Sequence, residues 1–273
     1  MEDLQSLRHK LSMLDDRLLE MVAERQRIVA EIGRVKSLAG RATRDYNRER
    51  QVLELARRSA RRVGIDEALG EDIFRLLIRA SLAAQEQDKV MASAAGSGKS
   101  ALVVGGAGQM GQWFARFLAS QGYRVEICDN AAAVAGFVCH RNLDETDLAQ
   151  DLIVLATPIA EVPALQKQLA ARRPPGVIFD ISSLKGPLRE GFAALQDAGC
   201  RVTSIHPMFG PDTELLSGRN IVFVDLGVTG ATAEVRELFA PTMVDQVEMS
   251  LEAHDRVMVP PSPLTGLYTG GTP

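Results

Sequence analysis

The sequence predicts an all-α N-terminal domain of three helices followed by an α/β Rossmann-type domain with a doubly wound parallel sheet. Three observations carry that prediction. Apolar residues recur three and four apart from Leu4 to Val35, the seam spacing of paired helices. From Leu102 onward, short Val/Ile/Leu runs alternate with helical stretches, as in a parallel sheet wrapped by helices. Between the two regions lies Leu102-Val-Val-Gly-Gly-Ala-Gly-Gln-Met-Gly111, in which Gly106, Gly108 and Gly111 spell G-x-G-x-x-G after a strand-like run and before a helix-like one. That context gives the pattern its meaning: a tight turn, close approach of a pyrophosphate, and a helix N-terminus facing it.

The 273 residues suit one large or two ordinary domains, and 46% hydrophobic with 24% charged residues is a globular composition. A net charge of −4 gives no sign of a nucleic-acid or membrane surface. No apolar run approaches the roughly 18–20 residues of a spanning helix. Met1-Glu-Asp-Leu4 is acidic, unlike a signal peptide. Cys128, Cys139 and Cys200 cannot all pair and lack metal-ligand spacing, so no metal and a cytoplasmic setting are expected.

The first seam runs Leu4, Leu7, Leu11, Leu14, Leu18 and Met21, then Ile28, Ile32 and Val35, and Arg25 stands where the pattern demands an apolar side chain. A buried cation needs an anion. Lys36 lies about 20° around the helix from Arg25 and roughly 16 Å along it, within joint reach of one small ligand. Arg8 is about 25 Å from Arg25 on another face, so it serves the site of a second subunit or none. Gly40 and Thr43 mark a helix end and a new start, with Asp45, Arg48 and Glu49 in the first turns. The second seam reads Tyr46, Glu49, Leu53, Ala56, Ala60; the third, over about 67–89, carries Phe74 and Leu77, then Ser81 and Gln85. One shared polar pocket explains all these interruptions, the competing reading being a structural Arg25–Glu49 salt bridge. Arg57, Arg58, Arg61 and Arg62 read as a solvated helix face.

Leu7-Arg8, Ala23-Glu-Arg25, Lys36, Arg44-Asp-Tyr-Asn-Arg-Glu-Arg50 and Ser81-x-x-x-Gln85 resemble the all-helical chorismate mutases of bifunctional aromatic-biosynthesis enzymes. The resemblance implies an intertwined dimer in which Arg25 and the partner subunit's Arg8 bind the two carboxylates of chorismate. It implies that Lys36 and Gln85 hydrogen-bond the ether oxygen, that Arg48 and Ser81 assist a carboxylate, and that Asp45 and Glu49 hold the ring hydroxyl. The reaction is an intramolecular Claisen rearrangement, which needs a held conformer and donors where negative charge grows.

Residues 91–100 read as a small, polar linker between a helical domain at 1–90 and a nucleotide domain at 101–255. Gly98-Lys99-Ser100 ends like a Walker A loop, but Ser93 occupies its first glycine position and a strand follows. Beyond the glycine turn the sequence predicts a helix near 109–121 and strands near 123–128, 151–156, 176–180 and 201. Ligands of such a sheet sit past the carboxyl ends of its strands. Asp129 stands where an acidic side chain holds the ribose 2′-hydroxyl of NAD and repels the phosphate of NADP. With Gly106, Gly108, Gln109, Met110, Gly111, Thr157 and Pro158 it forms the candidate cofactor set. His206, in Ser204-Ile-His206-Pro-Met-Phe-Gly210-Pro-Asp212, is the candidate general base. His9 and His140 read as structural or solvated.

The glycine turn, Ser182-Ser-Leu-Lys-Gly186 and His206-Pro-Met-Phe-Gly210 resemble prephenate dehydrogenase, so the layout is that of a bifunctional enzyme of tyrosine biosynthesis. The resemblance implies that His206 takes the proton of the prephenate ring hydroxyl as hydride leaves for NAD, giving 4-hydroxyphenylpyruvate, CO2 and NADH. It implies that Ser183 supports that hydroxyl and that His254 is a second histidine of the substrate pocket. The family continues into a helical domain, whereas residues 256–273 are rich in Pro and Gly. They are expected to be an aberrant tail from a frameshift or early end, leaving the dehydrogenase pocket without one wall and its activity in doubt. Two alternatives stand beside this reading: an NAD-dependent oxidoreductase with the helices only a dimerisation arm, and a non-catalytic tyrosine- or chorismate-binding regulator.

Overall fold

The computed structural model describes residues 3–131 and 133–258. The chain forms two compact units that divide between Lys89 and Val90.

The first unit is built from α1 (Leu4–Leu38), α2 (Tyr46–Val63) and α3 (Glu67–Ser93). Asp3 caps α1 and Asp45 caps α2, each accepting a backbone N–H three residues on. The start of α2 is therefore set by Asp45 rather than by Thr43, which is buried two residues earlier. Helix α2 meets α3 through small residues: a Cβ on Gly70 would lie 2.7 Å from that of Ala60, and Ala56 and Ala60 are buried. Tyr46, expected in that seam, is exposed and carries Arg44 over its ring at 4.4 Å. None of the 35 residues of α1 is buried. Its seam leucines and isoleucines, read from the sequence as a packing surface, lie open in the single chain.

The second unit is an eight-stranded sheet. Its strands are β1 (Ser100–Val104), β2 (Arg124–Cys128), β3 (Val138–His140), β4 (Leu152–Leu155), β5 (Val177–Asp180), β6 (Arg201–Pro207), β7 (Asn220–Asp225) and β8 (Asp245–Ser250). Their order is β3-β2-β1-β4-β5-β6-β7-β8, and only the β6–β7 pair is antiparallel. The chain reverses direction across the sheet at β1/β4, where a doubly wound fold opens its ligand crevice. Helices α4 (Gln109–Ser120), α5 (Val162–Arg172), α6 (Arg189–Asp197), α7 (Thr229–Phe239) and α8 (Leu251–Met258) complete the unit. One apolar core joins α4 and α7 to the sheet around Phe114, Phe179, Phe223 and Phe239; a second surrounds Leu102, Ile153, Ile178 and Leu195.

Two boundaries differ from the sequence reading. The expected linker is structured: α3 continues to Ser93, Gly96 donates to Gln121 O at 3.0 Å, and a Cβ on Gly96 would strike the Tyr123 ring. Small residues there serve close packing, which composition alone does not distinguish from flexibility. At the other end Arg256–Met258 belong to α8 instead of a tail. The rest of the expected tail, 259–273, lies outside the described residues.

Candidate active sites

In the helical unit, α1 contributes Arg25 and Lys36, the start of α2 contributes Asp45, Arg48 and Glu49, and α3 contributes Ser81 and Gln85. All seven line one cleft of about 340 Å³, whose apolar wall includes Val29, Val52, Phe74 and Ile78. Arg25 donates to Ser81 Oγ at 2.9 Å and to Leu77 O at 3.3 Å, both neutral acceptors, and burial lowers its pKa. The Arg25–Glu49 salt bridge does not form. Glu49 instead takes Arg44 in a two-pronged pair, Nε to Oε1 at 2.8 Å and Nη2 to Oε2 at 3.0 Å.

Lys36 Nζ donates to Thr43 O at 3.2 Å, and Gln85 Nε2 to Val29 O at 2.9 Å. Gly33 makes room for the latter: a Cβ there would stand 3.1 Å from Gln85 Cδ. The cleft thus brings three cations, an amide and two carboxylates to an apolar slot. Arg8 is exposed on α1 and does not line it. Arg57 and Arg61 pair with Glu71 and Glu67 at the surface, as expected of a solvated face.

In the sheet unit a pocket of about 410 Å³ opens at the β1/β4 crevice. It is lined by Gly105, Gly108, Asp129, Thr157 and Pro158, together with Asn130, Arg141 and Asn142. Asp129 accepts the N–H groups of Ala107 and Ala131, each at 2.9 Å, so the carboxylate is braced across the glycine turn. Gly108 caps α4 with no side-chain hydrogen bond, leaving that helix end to a ligand.

Gly106 and Gly111 serve packing. A Cβ on Gly106 would strike Ile127, and one on Gly111 would lie 2.1 Å from Gly105 O. Gln109 and Met110 follow on α4, outside the lining. Gly105, not singled out from the sequence, adopts φ +81°, and a Cβ there would strike the Ala156–Thr157 backbone. The strand-end glycine pair was the available signal for it. Burial raises the Cys128 thiol to about 11, so it is neutral in the pocket wall.

At the carboxyl end of β6, His206 Nδ1 lies 3.0 Å from His254 Nε2, and His254 Nδ1 lies 3.0 Å from Asp255 Oδ1. His206 is half-buried and His254 fully buried, so His254 stands behind His206. Burial, then the charge of Lys185 and then His254, push His206 down to about 4. Lys185 is itself fully buried, donating from Nζ to Asp180 Oδ2 and to Ile205 O, both at 2.8 Å. Burial lowers its pKa, and Asp180 opposes that shift.

Lys185 was passed over in the sequence, although it sits in the quoted Ser-Ser-Leu-Lys-Gly run. Trp113 of α4 was passed over too: its Nε1 donates to Thr213 O at 2.9 Å and its ring meets Phe209, which clamps the loop after His206. Ser183, in the loop after β5, is exposed. Thr157 Oγ1, Asp180 Oδ1, Ser182 Oγ and Ser204 Oγ are buried without a protein partner around the ends of β4, β5 and β6. His140 pairs with Glu126 at 2.9 Å, a structural contact between β3 and β2.

Fold and sites together define a helical unit with a polar cleft, followed in the chain by a Rossmann-type sheet unit. Residues 7–86 match the chorismate mutase type II family, and residues 118–247 match the prephenate dehydrogenase nucleotide-binding domain. The helical unit is thus similar to the chorismate mutase type II family, and the sheet unit to the nucleotide-binding domain of prephenate dehydrogenases. The chain is similar to the T-protein of Enterobacter agglomerans, 31% identical over 229 residues, and to that of Haemophilus influenzae, 30% identical over 232 residues. Each match covers 82% of this chain and 57% of the relative, so the chain spans little more than half the length of these proteins. Prephenate dehydrogenase from A. aeolicus, solved with hydroxyphenyl propionate and NAD+, shares the fold at TM-score 0.50 and 20% identity, over 58% of this chain and 62% of that one.

Proposed function

We propose that the helical cleft rearranges chorismate to prephenate and that the sheet unit oxidises prephenate with NAD to 4-hydroxyphenylpyruvate, CO2 and NADH. The convergence of seven polar side chains from three helices and their caps on one cleft carries the first half. Arg25 and Arg48 suit the substrate carboxylates. Lys36 and Gln85 stand as donors for the ether oxygen, where charge grows as its bond breaks. Asp45 and Glu49 supply acceptors for the ring hydroxyl. A dimerisation arm has no need of such a cleft, and the matched domains do not favour that alternative.

Arg8 completes the site from a second copy. A straight helix puts it about 25 Å from its own Arg25, and the open apolar face of α1 gives a second copy its contact surface. Homodimerisation through the helical unit is part of this reading.

For the second half, the residues fit NAD. The pocket passes Gly105 and Gly108 to the braced carboxylate of Asp129, which suits a ribose 2′-hydroxyl and opposes a 2′-phosphate. When bound, NAD supplies the hydride acceptor. The chain supplies His206, held neutral, to take the hydroxyl proton, and Ser183 to orient that hydroxyl. We read the protein as cytoplasmic on its three free cysteines.

The test gives the protein chorismate without cofactor and follows its disappearance, then adds NAD and follows NADH. Loss of chorismate followed by NADH formation is the expected result. No loss of chorismate overturns the reading of the helical cleft, and no NADH from added prephenate overturns that of the sheet unit.

A further inference from the structure

We propose that Asp255, acting through His254, fixes the tautomer of His206 so that His206 Nε2 is left unprotonated as the base. The inference rests on the dehydrogenase reading above and adds the positioning residues that make His206 competent.

A neutral imidazole carries one proton on either nitrogen, and a hydrogen bond at one nitrogen decides the other. Asp255 Oδ1 stands 3.0 Å from His254 Nδ1. Were that nitrogen bare, its lone pair would face a carboxylate, so His254 carries its proton on Nδ1 and donates it to Asp255. His254 Nε2 is then an acceptor. At 3.0 Å from it, His206 Nδ1 must be the donor. The single proton of His206 is thereby assigned to Nδ1, and Nε2, without a partner among the described residues, holds a free lone pair. The opposite arrangement, with His254 Nε2 donating, would put the proton of His206 on Nε2 and leave no base.

Asp255 is well held for this task. Burial raises its pKa, but the hydrogen bonds from His254, the Lys185 N–H and the Gly186 N–H outweigh burial and keep it ionised. Oδ1 takes the Lys185 N–H at 3.0 Å. The titratable groups around His206 are Asp180 at the end of β5, Lys185 in the following loop, and His254 and Asp255 on α8. When the substrate hydroxyl gives up its proton, its O–H bond breaks and an Nε2–H bond forms. The Nδ1–H···Nε2 bond to His254 then becomes charge-assisted, with Asp255 beyond it, which offsets the nearby cation of Lys185.

The test is histidine 15N NMR on the full chain, whose four histidines give few signals, with His206 assigned by loss of its signals in His206→Asn. At neutral pH the wild type is expected to show protonated Nδ1 and bare Nε2 at His206. Asp255→Ala removes the acceptor and is expected to raise Nε2–H population at His206 and to lower kcat by on the order of 10²-fold. Asp255→Asn keeps an oxygen acceptor and is expected to retain the wild-type tautomer and recover much of kcat. The spectra need neither prephenate nor NAD, so a failed dehydrogenase reading would show as absent turnover with these spectra unchanged. Protonated Nε2 at His206 in the wild type would overturn the proposal. So would Asp255→Ala or, if that variant does not fold, His254→Phe, which removes the acceptor, with the His206 tautomer unaltered.

Discussion

Arg44 grips both carboxylate oxygens of Glu49, at 2.8 and 3.0 Å, and so keeps Glu49 from neutralising Arg25, which lines the same cleft. The pair is partly exposed, so its value to stability is small. Its consequence is electrostatic: Arg25 keeps its charge for a ligand while the charge of Glu49 is already answered. Arg44→Gln frees that negative charge toward an incoming dianion. We expect KM for chorismate to rise about tenfold with kcat changed less, as for an interaction made equally in ground and transition states. Steady-state mutase kinetics and a thermal melt check this, the melting temperature staying close to wild type.

The shared-site reading of Arg8 is tested by mixing subunits. Arg8→Gln and Arg25→Gln are each expected to lower mutase kcat/KM by about 10² or more, by loss of a charge-assisted contact. In a mixed dimer one site carries both lesions and the other carries neither. Unfolding and refolding an equimolar mixture should therefore restore about one quarter of wild-type activity per subunit. If each site were built from one chain, the mixture would stay inactive.

Asp129 faces the pocket together with Arg141. Removing the carboxylate takes away both the ribose acceptor and the repulsion of a 2′-phosphate, and leaves the arginine nearby. Asp129→Ser is expected to weaken NAD about tenfold and to bring NADP to comparable affinity. Titration of cofactor fluorescence with each nucleotide measures the ratio directly and is independent of turnover.

The parts legible in the sequence were those written in local spacing. Arg25, Ser81 and Gln85 announced themselves by interrupting an apolar period, and the strands around Val103, Ile153 and Ile178 by short apolar runs ending in polar loops. The glycine turn and the loop at His206 were legible because each lies at a strand end. Partnerships between distant residues were not. Nothing near Trp113 points to Thr213, 100 residues on, and nothing near Lys185 shows that its side chain will turn back to Asp180 and Ile205. Asp255 stood beside His254 in plain view, but its effect runs through a ring 48 residues from His206. Residues 94–99 misled for another reason: Gly96 is small because Tyr123 lies against it, and small residues look alike whether they flex or pack.

Acid dependence separates the neutral His206 from an ordinary surface histidine. Burial is the main cause that holds its pKa down to about 4, and Lys185 and His254 act in the same direction. The base form therefore persists well below the usual histidine range. Dehydrogenase kcat/KM should stay level as pH falls from 8 to about 5, then drop toward tenfold per unit below about 4. Stability moves in the same sense. Between about 6.5 and 4 the unfolded chain binds a proton at this ring that the folded chain refuses, so the folded state loses ground as acid is added and the loss levels off below 4. Replacing the buried ion pair together, Asp180→Asn with Lys185→Met, removes a lowering charge larger in effect than the raising charge of Asp180. The acid limb of the rate profile should then shift to higher pH. A single Lys185→Met would confound the comparison, because it strands Asp180 as a buried carboxylate without its cation. An acid limb near 6.5 in the wild type would mean that His206 is solvated during turnover, and that the network behind it does not govern its charge.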